Sequence, residues 1–306
     1  MNYENFLAKI KEEIETYYDE NTQVLIHKVI KNNNLEMDGL SILPKNHHLS
    51  PAVYLNDYYQ AYCEGKNFDE IIHEILSVFH NYPCDIPFQI EDFKDFSKIK
   101  HHIVYKLINF NANKKLLQNT PFHRILDLAL VFYVIFPTDG LGSATILIQK
   151  EHLHLWNISH DTLFQIAKEN TPRILKPQLK KMSDLIEEFI LEKYPDSEQA
   201  LKKLIPDPAD DDAIPMYVLT NHLRLNGSAT FLYDGILEAF SQKYDMDIFI
   251  LPSSIHEVIL VPANGIITKK TLQHMVKEVN TQEISDQERL SNQVYIFHKE
   301  THMITM

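Results

Sequence analysis

The tetrapeptide Gly-Ser-Ala-Thr occurs twice, starting at Gly142 and at Gly227, in a chain of 306 residues with only seven glycines. The sequence around the two copies is organised alike. Residues 130–148 read LVFYVIFPTDGLGSATILI, and residues 216–233 read MYVLTNHLRLNGSATFLY. Each is a β-rich run, a short polar break, the tetrad and a second β-rich run, which is the pattern of an antiparallel hairpin. Tyr133 and Tyr217 begin matching Tyr-Val pairs, and the two spacings differ by one residue, as a one-residue change in the connecting loop gives. Three of the seven glycines, Gly140, Gly142 and Gly227, fall in the breaks, where a positive φ is needed without steric cost. The small side chains that follow admit a close neighbour, whether backbone, helix or ligand.

The segments after each hairpin are also similar. Residues 149–156 and the run through Lys168 follow the first, and residues 234–243 follow the second. A shorter version stands near the start, where residues 52–55 lead into residues 56–63. The chain thus reads as an internal repeat: a strand feeding a helix that covers the sheet. Residues 205–215, IPDPADDDAIP, hold three prolines, four acids and no core-forming run. They read as an acidic linker between a lobe of residues 1–204 and a lobe of residues 216–306. The second lobe has the order ββαββα, so the predicted class is α+β, with antiparallel sheets covered by helices.

Periodicity places the remaining elements. Phe6, Leu7, Ile10, Ile14 and Tyr17 share one side of an opening helix, and residues 24–30, 39–43 and 52–55 read as strands. Asn67 caps a helix with Ile71, Ile72, Ile75, Leu76 and Phe79 on its buried stripe, ended by Pro83 and Pro87. Residues 92–100 form a charged, partly helical connector, and residues 103–110 fit strand or helix equally. Ser159 caps a helix that stops near Thr171-Pro172. Leu179, Met182, Leu185, Ile186 and Phe189 mark a further amphipathic helix. Helix 268–280 carries Leu272, Met275, Val276 and Val279, and residues 293–298 make a last strand.

Composition bounds the function. The formal charge is −13, from 42 acids and 29 bases, which opposes a sequence-independent hold on nucleic acid or anionic lipid. Two cysteines, Cys63 and Cys84, suit a reducing compartment and make no metal motif. The first helix is charged throughout and unlike a signal peptide, and the apolar run 125–136 is too short to span a bilayer. These features predict a soluble cytoplasmic protein without a membrane span.

Four further runs carry a resemblance: SPAVYLND at 50–57, VYKLIN at 104–109, ENTPR at 169–173 and LPSSIHEVILVP at 251–262. With the two tetrads, they resemble a family of uncharacterised intracellular proteins from clostridia and related Firmicutes, over nearly the whole chain. Residues 157–173 are similar to a helix in a broader uncharacterised Firmicutes group. The resemblance implies a domain of unknown function, and brings no cofactor or catalytic residue.

Candidate chemistry follows from residue types. Ser253, Ser254, His256 and Glu257 sit in a bend between two strands and supply the nucleophile, base and orienting acid of a metal-independent hydrolase. Neighbours in sequence seldom build a triad, and no Gly-x-Ser-x-Gly elbow occurs. The bland reading has the serines satisfying the turn, with His256 and Glu257 on opposite faces. Asn221, His222 and Arg224 lie in the break of the second hairpin, where a cationic fork beside small residues can receive a carboxylate or phosphate. Asn170 and Arg173 at a helix end offer a second anion contact, or a cap. The histidine pairs His47-His48 and His101-His102 lack ligand spacing. His152 and His154 diverge on a helix, and the acids 207–212 lack the calcium-loop pattern. No metal and no cofactor is expected. The expectation is a non-catalytic binding or regulatory protein that acts through a protein partner or a small anionic ligand, with the hydrolase of Ser253 or Ser254 and His256 as the alternative.

Overall fold

The computed structural model describes residues 1–45, 50, 52–81, 90–138, 142–193 and 215–306. Contacts divide the chain into two compact units, Met1–Ile99 and Lys100–Met306. That division stands elsewhere than the one expected at 205–215. Most of the acidic segment lies outside the described residues, as do His47, His48, Pro83, Cys84 and Pro87.

In the first unit, helix α1 (Tyr3–Glu15) starts where the Asn2 carboxamide accepts the Asn5 N–H, and it buries Phe6, Ile10 and Ile14 at four-residue spacing. Strands β1 (Gln23–Ile30) and β2 (Glu36–Leu43) pair antiparallel, and β3 (Val53–Tyr54) joins β2. The β1–β2 turn runs through Asn33 and Asn34 at φ 60° and 55°, and asparagine tolerates that left-handed region better than most residues. Helices α2 (Leu55–Cys63) and α3 (Phe68–Asn81) complete the core, with Leu55, Ile71, Ile72, Ile75 and Leu76 buried against Leu40 and Ile42. Asn67 Oδ1 accepts the Asp69 N–H at the start of α3. The short helices α4 (Ile90–Lys94) and α5 (Phe96–Ile99) form the partly helical connector.

The second unit holds two antiparallel sheets. Its first sheet comprises β4 (Ile103–Asn109), β5 (Phe122–Ile125), β6 (Leu128–Thr138) and β7 (Gly142–Leu147), with helix α6 (Lys114–Asn119) before β5. The eleven-residue β6 pairs with β4 on one side; on the other it pairs with β5 through Leu128–Val131 and with β7 through Tyr133–Thr138. The first hairpin is therefore present, with Thr138 opposite Gly142. Helices α7 (Lys150–Trp156) and α8 (His160–Ile174) follow, and Ser159 Oγ accepts the Thr162 N–H at the start of α8.

Helix α8 continues past Pro172 to Ile174 instead of stopping there. The proline removes one donor, but side chains beside it fix the helix from outside. Thr171 Oγ1 accepts the Tyr105 N–H at 3.0 Å, and Asn170 Nδ2 donates to Ile103 O at 3.0 Å and Lys100 O at 2.7 Å. Two of these bonds take backbone groups at the start of β4, the Tyr105 N–H and the Ile103 carbonyl.

The second sheet has the order β13-β12-β10-β11-β9-β8. Its strands are β8 (Pro177–Lys181), β9 (Tyr217–Asn221), β10 (Ile248–Leu251), β11 (Val258–Pro262), β12 (Tyr295–Phe297) and β13 (Ile304–Thr305). Helix α9 (Met182–Lys193) follows β8, α10 (Ile236–Tyr244) precedes β10 and α11 (Lys269–Gln282) follows β11. Leu272 and Val276 of α11 pack on Phe249, Leu251 and Val261. Leu179 does not belong to an amphipathic helix. Residues 177–181 begin at a proline, alternate Gln178 and Lys180 with Leu179, and pair with β9, so the helix starts only at Met182.

The second hairpin is absent. Gly227–Leu232 forms a buried 3-10 helix, not the returning arm of β9. The Asn221 side chain diverts the chain: its Oδ1 accepts the N–H groups of Leu223 and Leu225, and its Nδ2 donates to Leu225 O. Arg224 and Asn226 then take φ 51° and 52°. The segment comes to rest against β9, where a Cβ at Gly227 would stand 2.2 Å from Thr220 Oγ1 and 2.5 Å from His256 O. Ser228 N–H donates to Ile255 O, and Thr230 Oγ1 donates to Gly227 O. The second tetrad thus serves close approach and not a turn into a strand, and the two copies are not equivalent units of a repeat. The class is α+β, with three antiparallel sheets among the described residues.

Candidate functional site

Strand β8 is the last strand of its sheet, and its register sets Gln178 opposite Thr220 and Lys180 opposite Val218. These four side chains share one face because alternate residues of a strand point the same way. Leu185 and Phe189 of α9 stand over that face, and Glu257, immediately before β11, and Arg224 complete a groove of about 240 Å³. Helix α9 has no buried residue and leaves Phe189 63% exposed and Ile186 46% exposed. The groove therefore has one apolar wall that opens to solvent and a floor with polar groups.

The charges in it are unevenly engaged. Lys180 Nζ lies 2.7 Å from both carboxylate oxygens of Glu188. Arg224 is exposed and, among the described residues, forms no ion pair, either with Glu257 or with any other acid. Burial pushes the Glu257 carboxyl above its ordinary value, opposed by the nearby His256, the Ser254 hydroxyl and Arg224 and reinforced by Glu288. Thr220 Oγ1 donates to His256 O at 2.7 Å, so its remaining capacity is to accept.

Asn221, expected in a ligand site, is fully buried and uses its amide inside the turn. It positions Arg224. His222 is exposed, and its N–H donates to Lys176 O. Asn170 and Arg173 lie elsewhere: Asn170 is buried on β4, and an Arg173 amino group donates to Asn170 Oδ1 and His101 O.

The Ser253–Glu257 cluster splits between two environments. Ser254 is buried, bridges to Arg289 and accepts the His256 backbone N–H on Oγ at 3.0 Å. The His256 ring instead accepts the Asn226 N–H on Nδ1 at 3.3 Å and places Nε2 3.5 Å from Glu288. Ser253 contributes its carbonyl, which accepts the Leu290 N–H. His256 and Glu257 diverge, and only Glu257 lines the groove.

The lining residues Gln178, Lys180, Leu185, Phe189, Val218 and Thr220 were missed in the sequence. The proline-led alternation of 177–181 was their available signal. Among the described residues, no three His, Cys, Asp or Glu side chains gather as metal ligands, and no helix is long and apolar enough to cross a membrane.

Residues 3–299 match the model of a family of unknown function, DUF5688. The chain belongs to DUF5688. This agrees with the resemblance drawn from the short runs insofar as that implied a domain of unknown function along nearly the whole chain. No curated protein and no solved structure matches this DUF5688 chain. Every site residue of this DUF5688 member, from Gln178 to Glu257, lies inside the matched range.

Proposed function

We propose that this protein is a non-catalytic, cytoplasmic binding protein whose groove beside β8 and β9 takes a small carboxylate-bearing ligand. Arg224 is the anion contact, and Leu185, Phe189 and Val218 face the apolar part. The observation that carries this reading is Arg224 itself. A non-glycine residue at φ 51° costs conformational energy, and a buried carboxamide with three hydrogen bonds holds it there. Its guanidinium lines the groove and, among the described residues, forms no ion pair, so its planar fork is open to two-point recognition of a carboxylate.

A protein partner is the second reading, favoured by the exposure of Phe189 and Ile186 on α9. The hydrolase alternative has less behind it, because the His256 ring is engaged by the Asn226 N–H and Glu288, while the Ser254 hydroxyl serves the His256 backbone N–H and the Glu257 carboxyl and not the ring. The test is a thermal-shift series with small carboxylates, since a ligand of the native state raises Tm by mass action. Arg224→Gln is expected to abolish the shift. A shift that survives it removes the groove from consideration.

A further inference from the structure

We infer that the groove's ligand is a zwitterion: a free α-amino acid with a large apolar side chain. This deepens the carboxylate reading and rests on it. Of the two cations and one acid that line the groove, Lys180 is paired with Glu188, while Arg224 and Glu257 feel each other's charge but form no ion pair. Two opposite charges in one small groove without a mutual ion pair leave room for a molecule carrying both complements. Arg224 takes the carboxylate with its planar fork. Glu257 takes the ammonium.

The surroundings of each charge favour that assignment. Beside Glu257, the Thr220 hydroxyl has committed its proton to His256 O, so it offers lone pairs to a donor such as an ammonium. Lys180 would compete as a second anion contact, but both oxygens of Glu188 hold its ammonium. The burial that raises the Glu257 carboxyl is relieved when a cation arrives, because an opposite charge favours the ionised form. The apolar wall of Leu185, Phe189 and Val218 then faces the ligand's side chain. A volume of about 240 Å³ falls below the range of drug-sized pockets, about 300–1,000 Å³, which limits the occupant to a single residue.

Three probes that differ by one charge decide it: L-phenylalanine, 3-phenylpropionate without the ammonium and 2-phenylethylamine without the carboxylate. Calorimetry on the full chain is expected to show L-phenylalanine binding, with each truncated probe weaker by about tenfold, the scale of one lost charge-assisted contact. Arg224→Gln and Glu257→Gln should each weaken L-phenylalanine by a similar factor. Phe189→Ala changes an exposed side chain and should weaken it severalfold with unfolding temperature unchanged. If 3-phenylpropionate binds as tightly as L-phenylalanine and ignores Glu257→Gln, the zwitterion inference falls and the carboxylate reading stands. If no probe binds and no small carboxylate shifts Tm, both fall.

Discussion

Gly227 lies against Thr220 so closely that any side chain there would overlap the threonine hydroxyl, a Cβ falling 2.2 Å from Oγ1. The backbone of Asn221 and the carbonyl of His256 stand almost as near, at 2.7 Å and 2.5 Å. No rotamer change can clear two backbone groups at once. Gly227→Ala should therefore destabilise the fold by about 3 kcal/mol, the upper part of the overpacking range. Urea unfolding checks this, and a loss well under 1 kcal/mol would mean the 3-10 segment does not sit where it is described.

Asn221→Ala removes the carboxamide that holds the turn and leaves the N–H groups of Leu223 and Leu225 without their acceptor. A cost of about 2–3 kcal/mol is expected for unsatisfied groups around a buried position. The same variant should weaken carboxylate binding, since Arg224 is no longer fixed. Asn221→Asp should recover part of the stability through the retained acceptor. Equal losses in both variants would locate the effect elsewhere.

Glu257 gives a pH signature with a definite sign. Its carboxyl is raised from an ordinary 4.5 by burial, so the folded state binds the proton more tightly than the unfolded chain. Folding then carries no penalty below 4.5 and an increasing one as pH rises through the shifted value. Glu257→Gln is expected to raise Tm at neutral pH and to match the parent below about pH 4. A variant less stable than the parent at neutral pH would show that the carboxylate is satisfied and not desolvated.

Asp247 works the other way. Its carboxyl is held below 3.8, first by the Lys299 backbone N–H and then by His298, which sits 2.9 Å from Oδ2. The stabilisation is present above 3.8 and lost as pH falls through the lowered value. Asp247→Asn should lower Tm at neutral pH, with the two curves converging under acid conditions. Parallel curves down to pH 2 would refute the linkage.

Arg173→Gln provides the contrast within the sequence-derived candidates. Its guanidinium serves His101 O and Asn170, so ligand-induced shifts should persist in this variant while Tm falls modestly. Loss of the ligand response would reinstate Arg173 as an anion contact.

The fold was legible where one side of an element is apolar and the other polar. Phe6, Ile10 and Ile14, the stripe of α3 and the first hairpin all have that pattern, and the structure places them as read. The two tetrads part because identical residues serve different ends: at Gly142 the chain returns along β6, whereas before Gly227 the side chain at the head of the break, Asn221, redirects it. Nothing in local propensity distinguishes those outcomes. The groove was half legible. Arg224 and Glu257 stood out as charges in breaks between strands, but their partners come from β8 and α9, brought in by pairing across residues 182–216. Long-range register is invisible to periodicity, and β8 was absorbed into the helix that follows it.

Thr171 and Asn170 act at the start of β4 as a neighbouring strand would, one hydroxyl taking the Tyr105 N–H and one amide the Ile103 carbonyl. A helix that supplies two side chains in place of ladder bonds denies those two positions to any other extended segment. Removing both together would uncover a docking rail for a foreign strand, and self-association through β4 would follow from the loss of two small polar groups.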